Sequence, residues 1–81
     1  MQETLAQFIR RRRRELGLKL RDLEQPSGLS NPYFSQLENG VVINPSIRTL
    51  YYLAFALDTD LETLVDLAIQ PFREEHAKHV G

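Results

Sequence analysis

No cysteine occurs in the 81 residues, so no disulfide staples this chain and no thiolate can hold a zinc ion. That usage is compatible with a reducing cytoplasm. Long apolar runs are also missing. Nothing approaches the ~18–20 apolar residues of a membrane span, so no membrane association is expected. The opening MQETLAQFIRRRRR lacks the order of a secretory leader, in which basic residues precede a long apolar stretch. There is no Ser/His/Asp cluster, no paired acid set and no Gly-rich phosphate cradle, so catalysis is not expected. Asp58, Asp60 and Glu62 are too few for a calcium loop and read as helix caps. His76 and His79 lie three apart near the end of the chain and are not expected to form a native zinc site. No cofactor and no metal are expected. What remains is one small cytoplasmic helical domain, 42% hydrophobic, stabilised by packing alone and too small for a ligand pocket.

Net charge is −1, which by itself speaks against a polyanion as partner. The distribution speaks the other way. Residues 1–48 hold eight Lys/Arg against five Asp/Glu, and residues 49–81 hold two against six, so the two parts carry +3 and −4. A molecule divided in this way can turn one positive face to a polyanion.

Turn signals fall at Gly17, Pro26-Ser27-Gly28, Asn31-Pro32, Asn39-Gly40, Asn44-Pro45, Asp58-Thr59-Asp60 and Pro71. Between them, apolar residues recur every three to four positions and never in sustained alternation, so every segment reads as helix. Helix 1 spans roughly 3–16, helix 2 roughly 20–27 and helix 3 the stretch from Ser30/Asn31 to Asn39-Gly40. Helix 4 spans roughly 46–57, with Ile47, Leu50, Leu53, Ala54 and Leu57 expected inward. Helix 5 spans roughly 61–69, capped by Asp60, and Pro71 can open a short sixth helix through Val80. A domain over 1–70 with a tail or short helix over 71–81 follows. Pro26 removes a backbone donor in the last turn of helix 2, which should end early or tighten. At ~100° per residue, Leu5, Ile9 and Leu16 share one stripe of helix 1. Arg10, Arg11 and Arg14 lie opposite it, Arg13 lies on its edge, and Arg12 lies nearly inside it and must snorkel. Tyr51, Tyr52 and Phe55 are expected in the core and at a dimer surface.

The stretch from Leu20 to Asn39 has the spacing of a helix-turn-helix. Leu23 is followed five residues later by Gly28 at the turn and then by Leu29. Phe34 and Leu37 return to the core three apart. In such a motif the second helix enters the major groove. Leu16-Gly17-Leu18, Gly28-Leu29-Ser30, Ser35-Gln36-Leu37-Glu38-Asn39-Gly40, Asn44-Pro45-Ser46-Ile47-Arg48-Thr49-Leu50 and Ala54-Phe55-Ala56-Leu57 occur in order. By these pieces the chain resembles the Cro/C1-type (Xre-like) helix-turn-helix family over roughly 5–67. The resemblance implies an all-α fold, a five-helix lambda-repressor-like DNA-binding domain.

The same resemblance implies roles. Asn31 and Gln36 stand where the family reads bases, with Ser35 and Tyr33 as lesser candidates. A carboxamide both donates and accepts, so it can grip adenine N6 and N7 together. Ser30 caps helix 3 and can touch the DNA, Asn39 matches a phosphate contact, and Lys19 is a phosphate neutraliser. Ser46 and Arg48 open helix 4 and can hold another phosphate; Arg10 and Arg14 are further phosphate candidates. Glu38 matches a position that pairs with an arginine of helix 1, which by register is Arg13, so a partly buried Arg13–Glu38 ion pair is expected. The chain departs from the family pattern at Leu20, where a phosphate-binding Gln is common, at Glu24, where Ala is usual, and at Pro26 and Pro32. It departs again in the apolar loop Val41-Val42-Ile43.

The function implied is a sequence-specific transcriptional regulator, a repressor, binding double-stranded DNA as a homodimer on a pseudo-palindromic operator. The expected dimer surface is the turn before helix 5 together with helix 5. A different class stays open: a protein-interaction module such as an antitoxin or anti-repressor, engaging a protein partner (a toxin or a regulator) through helix 5 and the tail. Leu20, Glu24 and the 41–43 loop motivate it.

Overall fold

Thr4 starts the first helix by exchanging bonds with Gln7. The Thr4 hydroxyl accepts the Gln7 N–H at 3.1 Å and the Gln7 carboxamide oxygen accepts the Thr4 N–H at 2.9 Å, a capping box that satisfies two end donors at once. The structure, a computed structural model, describes residues 3–42 and 44–80, with side chains described for all of these but 26, 27 and 76–80. Helix α1 runs Leu5–Glu15. A 3-10 turn, Leu20–Leu23, leads into α2, Glu24–Ser27. Then come α3, Asn31–Glu38, α4, Ile47–Ala56, and α5, Leu61–Val80. Among the described residues there is no strand. Gly28 ends α2 at φ +70, a conformation that a Cβ would strain. This sharp turn lets α3 set off in a new direction.

Leu5, Ile9, Leu23, Phe34, Leu37, Leu50, Leu53, Ala54, Leu57, Leu64 and Ala68 form the buried core, drawn from α1, the 3-10 turn, α3, α4, the turn after it and α5. Helix α1 packs on α3, α2 on α4, and α5 on α4 and α1. Arg12 does snorkel: its guanidinium reaches across to the end of α4, donating to the carbonyls of Leu57 at 2.9 Å and Asp58 at 3.0 Å. Those are carbonyls that the helix end leaves without intrahelical partners.

Several expectations are corrected. The fold is all-α, but only α1, α3, α4 and α5 reach eight residues. The expected helix 2 is a 3-10 turn followed by four α-helical residues. Tightening occurs at the front of that segment rather than at its end. No separate sixth helix opens at Pro71. That residue lies inside α5, and the boundary expected at 70/71 falls within a continuous helix. Leu16 is the exposed C-cap residue of α1, and Ile47 faces outward at 63% exposure. Tyr51 and Phe55 are exposed as well, with Tyr52 half-buried, so none of the three belongs to the core. Asp60 accepts the Leu64 N–H on its backbone carbonyl at 3.4 Å, and no cap bond from its carboxylate is present among the described residues. An open groove of about 300 Å³ lies between the start of α1, the loop after α3 and the middle of α5, where no pocket was expected. Ile43 and the side chains of His76 and His79 lie outside the described residues.

Candidate nucleic-acid interface

Ser30 fixes the start of α3. Its backbone is extended, and its hydroxyl accepts the Tyr33 N–H at 3.4 Å, a long cap bond. Pro32 occupies the first turn, where the missing donor costs nothing. At roughly 100° per residue, Asn31, Pro32, Ser35, Gln36 and Asn39 fall on one side of α3, and Phe34, Leu37 and Glu38 fall on the other. Burial follows that division. Phe34, Leu37 and Glu38 are buried, Pro32, Gln36 and Asn39 are exposed, and Asn31 and Ser35 are half-exposed. Tyr33 sits between the faces and packs on the core, which leaves it the least available of the four base-contact candidates. The carboxamides of Asn31 and Gln36 make no hydrogen bond among the described residues. Each presents a donor and an acceptor at the surface, the pattern that pairs with a base edge.

Behind α3, the expected pair is present in bidentate form. Arg13 Nε donates to Glu38 Oε2 at 2.6 Å and Nη2 to Oε1 at 2.9 Å, while Nη1 donates to the Leu18 carbonyl at 2.9 Å. The bonds to Glu38 raise the Arg13 pKa further above its ordinary value. The planar fork ties the turn after α1, α1 itself and the end of α3 into one unit. The Glu38 side chain is 5% exposed and receives a second cation, Arg10, at 3.6 Å. No buried side-chain nitrogen or oxygen among the described residues lacks a partner.

The phosphate candidates divide. Lys19 and Arg14 are exposed and make no ion pair among the described residues. Ser46 caps α4, accepting the Thr49 N–H at 3.1 Å, and its hydroxyl lies 3.0 Å from that of Thr49. Arg48 is exposed and stacks over Tyr52, 5.6 Å from the ring centroid, a geometry that leaves the guanidinium edge in water. Arg10 and Asn39, both phosphate candidates, meet at 2.8 Å. Arg11 is held by Glu3 at 2.7 Å and Glu15 at 2.8 Å, and the Arg11 bonds hold the Glu3 carboxyl below the usual carboxylate range. One free cation was missed: Arg21, exposed in the 3-10 turn and without an ion pair among the described residues. A basic residue in the first turn of the first motif helix was the signal for it. Leu20, its neighbour, packs against the core, so the polar contact given up there has a cation beside it.

A second exposed surface lies on α4. Ile47, Tyr51 and Phe55 recur every four residues at 63%, 59% and 74% exposure. Tyr51 and Phe55 also border a groove at the α4–α5 turn that includes Asp58, Asp60 and Leu61.

Two helices joined by a tight glycine turn, the second presenting unbonded amides beside free cations, define a helix-turn-helix of the Cro/C1 type. The family model described as "Helix-turn-helix domain" matches residues 4–68, and the chain belongs to that family of DNA-binding domains. It is similar to the HTH-type transcriptional regulator SinR of Bacillus subtilis, at 34% identity over 62 residues, which is 76% of this chain and 56% of SinR. The chain thus matches little more than half the length of that curated relative. Among solved structures, it resembles the biofilm master regulator SinR in complex with DNA (TM-score 0.71, 32% identity, 76% of this chain and 98% of that one). It also resembles a SinR/SinI protein complex (TM-score 0.71, 31% identity, 95% of this chain and 75% of that one).

Proposed function

We propose that this chain is a sequence-specific transcriptional regulator that inserts α3 into the major groove of double-stranded DNA and represses by occupying its operator. The observation that carries the reading is the outer face of α3, where Asn31 and Gln36 stand exposed or half-exposed with unbonded carboxamides. Gln36 and Asn31 read bases, with Ser35 and Tyr33 at the margins. Lys19, Arg14, Arg48, Ser46, Ser30 and Asn39 engage phosphates, and Arg21 joins them. The Arg13–Glu38 fork sets the angle of α3 and does not touch DNA. Among the described residues, nothing in the side-chain chemistry supports an enzyme reading, and a cytoplasmic location fits a regulator of transcription. No helix among the described residues is long and apolar enough to cross a membrane.

A homodimer supplies two reading heads about one helical turn apart, ~34–36 Å, on a pseudo-palindromic site. The surface offered to the second copy is the Ile47, Tyr51 and Phe55 stripe with the adjoining α4–α5 turn. Exposed aromatics beside a shallow groove suit a self-complementary contact, since each copy supplies both the projections and the recess. Selection of bound sequences from random duplex DNA, with stoichiometry measured on the winner, tests the whole reading. A palindromic winner carrying two chains is expected. Failure to enrich any sequence, or a single chain per site, contradicts it.

A second reading rests on α5. This helix of 20 residues continues past the core, and residues 71–75 are all exposed. A protein partner, a toxin or a regulator, could bind along it in an antitoxin or anti-repressor role. The similarity to SinR in a protein complex, which takes in 95% of this chain, supports it. Retention of a partner with no duplex affinity at low salt is the outcome that would favour it over DNA binding.

A further inference from the structure

The C-terminal end of α3 is a poor place for a phosphate, because the last carbonyls of a helix carry its negative partial charge. Asn39, the phosphate candidate at that end, is the C-cap residue itself. The carbonyls of Ser35, Gln36 and Leu37 receive backbone donors from residues 39–42. The Glu38 carbonyl receives Arg10, whose Nη2 donates to it at 3.1 Å and also to Asn39 Oδ1 at 2.8 Å. One guanidinium nitrogen therefore spans a helix-end carbonyl and a side-chain oxygen, while Nε faces Glu38 Oε1 at 3.6 Å.

We propose that Arg10 is a positioning residue for the DNA backbone: by holding Oδ1, it turns the Asn39 amide nitrogen outward as a donor to phosphate. The inference rests on the DNA-binding reading above. A primary carboxamide has two orientations of opposite character at the same rotamer. With Oδ1 outward, it would meet a phosphate acceptor to acceptor. Arg10 removes that choice, since a guanidinium donates only. The remaining Nδ2 contact, to Ser35 Oγ at 3.4 Å, is long and leaves the amide hydrogens available. Arg10 thus acts from α1 on a contact made by α3, and the ion pair beside it holds both helices at that distance.

The test combines a double-mutant cycle in DNA binding with an observation on the free protein. The probe is the duplex recovered by selection with the wild-type chain. Arg10→Ala and Asn39→Ala are each expected to weaken binding by about tenfold, the loss of one charge-assisted bond. The double variant is expected to bind within about twofold of Asn39→Ala, with the same dependence on salt, because Arg10 acts only through Asn39. In free Arg10→Ala, the Asn39 side-chain amide protons should shift and exchange faster with solvent. Arg10→Met keeps the length and apolar stem without any donor and covers the case in which alanine unfolds the domain; it too should release the carboxamide. Losses that multiply in the double variant, or a salt slope about one unit below that of Asn39→Ala, would mean that Arg10 touches phosphate itself and would overturn the proposal. So would unchanged Asn39 amide signals in both Arg10 variants. If the wild-type chain selects no duplex, the function reading fails, while the amide signals still decide whether Arg10 orients Asn39.

Discussion

Helices α3 and α4 are built alike and end up offering opposite surfaces. Both begin at a serine whose hydroxyl caps the first turn, at 3.4 Å for Ser30 and 3.1 Å for Ser46, and both bury one side in the same core. The outward side of α3 carries Asn31, Pro32, Ser35, Gln36 and Asn39, and that of α4 carries Ile47, Tyr51 and Phe55. Backbone chemistry therefore says nothing about which partner each helix takes. Unbonded amides left in water lose little there and gain specificity against a base edge. An exposed apolar stripe gains only where water is displaced, as in contact with another apolar surface.

The comparison can be broken at its foundation first. Glu38→Ala leaves the Arg13 guanidinium, itself only 15% exposed, without its anion, and stability is expected to fall by about 3 kcal/mol or more. Urea unfolding followed by circular dichroism measures this. A loss under ~1 kcal/mol would mean that the fork does not hold α3 to α1. Next is the α4 surface. Phe55→Glu places a charge in the proposed dimer contact and should lower self-association at least tenfold by sedimentation equilibrium, with helix content unchanged. An unaltered dimer would move the contact elsewhere. A finer comparison sets Ser30→Ala against Ser46→Ala. Each removes a cap, at about 1 kcal/mol. Ser46→Ala should cost the more, because its bond is shorter and the buried Thr49 hydroxyl loses a partner. Thermal unfolding of the two variants checks the order.

The smallest effect concerns pH. Glu3 has a folded-state pKa below its ordinary value because of Arg11. Its contribution is present at neutral pH and is lost as the pH falls through the carboxylate range. The pair is solvated, so this contribution is small. Glu3→Gln should flatten the acid limb of the stability curve only slightly.

Much of α1 and α3 was legible because both rest on local rules. Caps, angular position and the glycine turn placed Gln36 outward and Arg13 on the edge of the apolar stripe, the family resemblance supplied Glu38 as its partner, and the pair is present. Ile47 was misread although its signal was present. It lies closer in angle to Tyr51 than to Leu50, and the spacing 47, 51, 55 marks a stripe of its own. Hydrophobicity alone assigned it to the core, but a small domain must leave some large apolar residues outside. The Arg10–Asn39 contact was not legible, since it joins residues 29 apart through a long side chain whose reach no local pattern fixes. Pro71 was read as a start because proline favours a first turn. Here it continues a helix already anchored by Leu64 and Ala68, and packing outweighs the lost backbone bond.

The central claim is that α3 reads bases while the cations around it only hold the backbone. Fluorescence anisotropy on the selected duplex and on a scrambled one, across a range of salt, compares Gln36→Ala with Lys19→Ala. Gln36→Ala should lose the preference between the two duplexes, by about 1–3 kcal/mol at one base pair, and keep the wild-type salt slope. Lys19→Ala should weaken both duplexes alike and lower the slope by about one. Identical behaviour of the two variants would contradict the account.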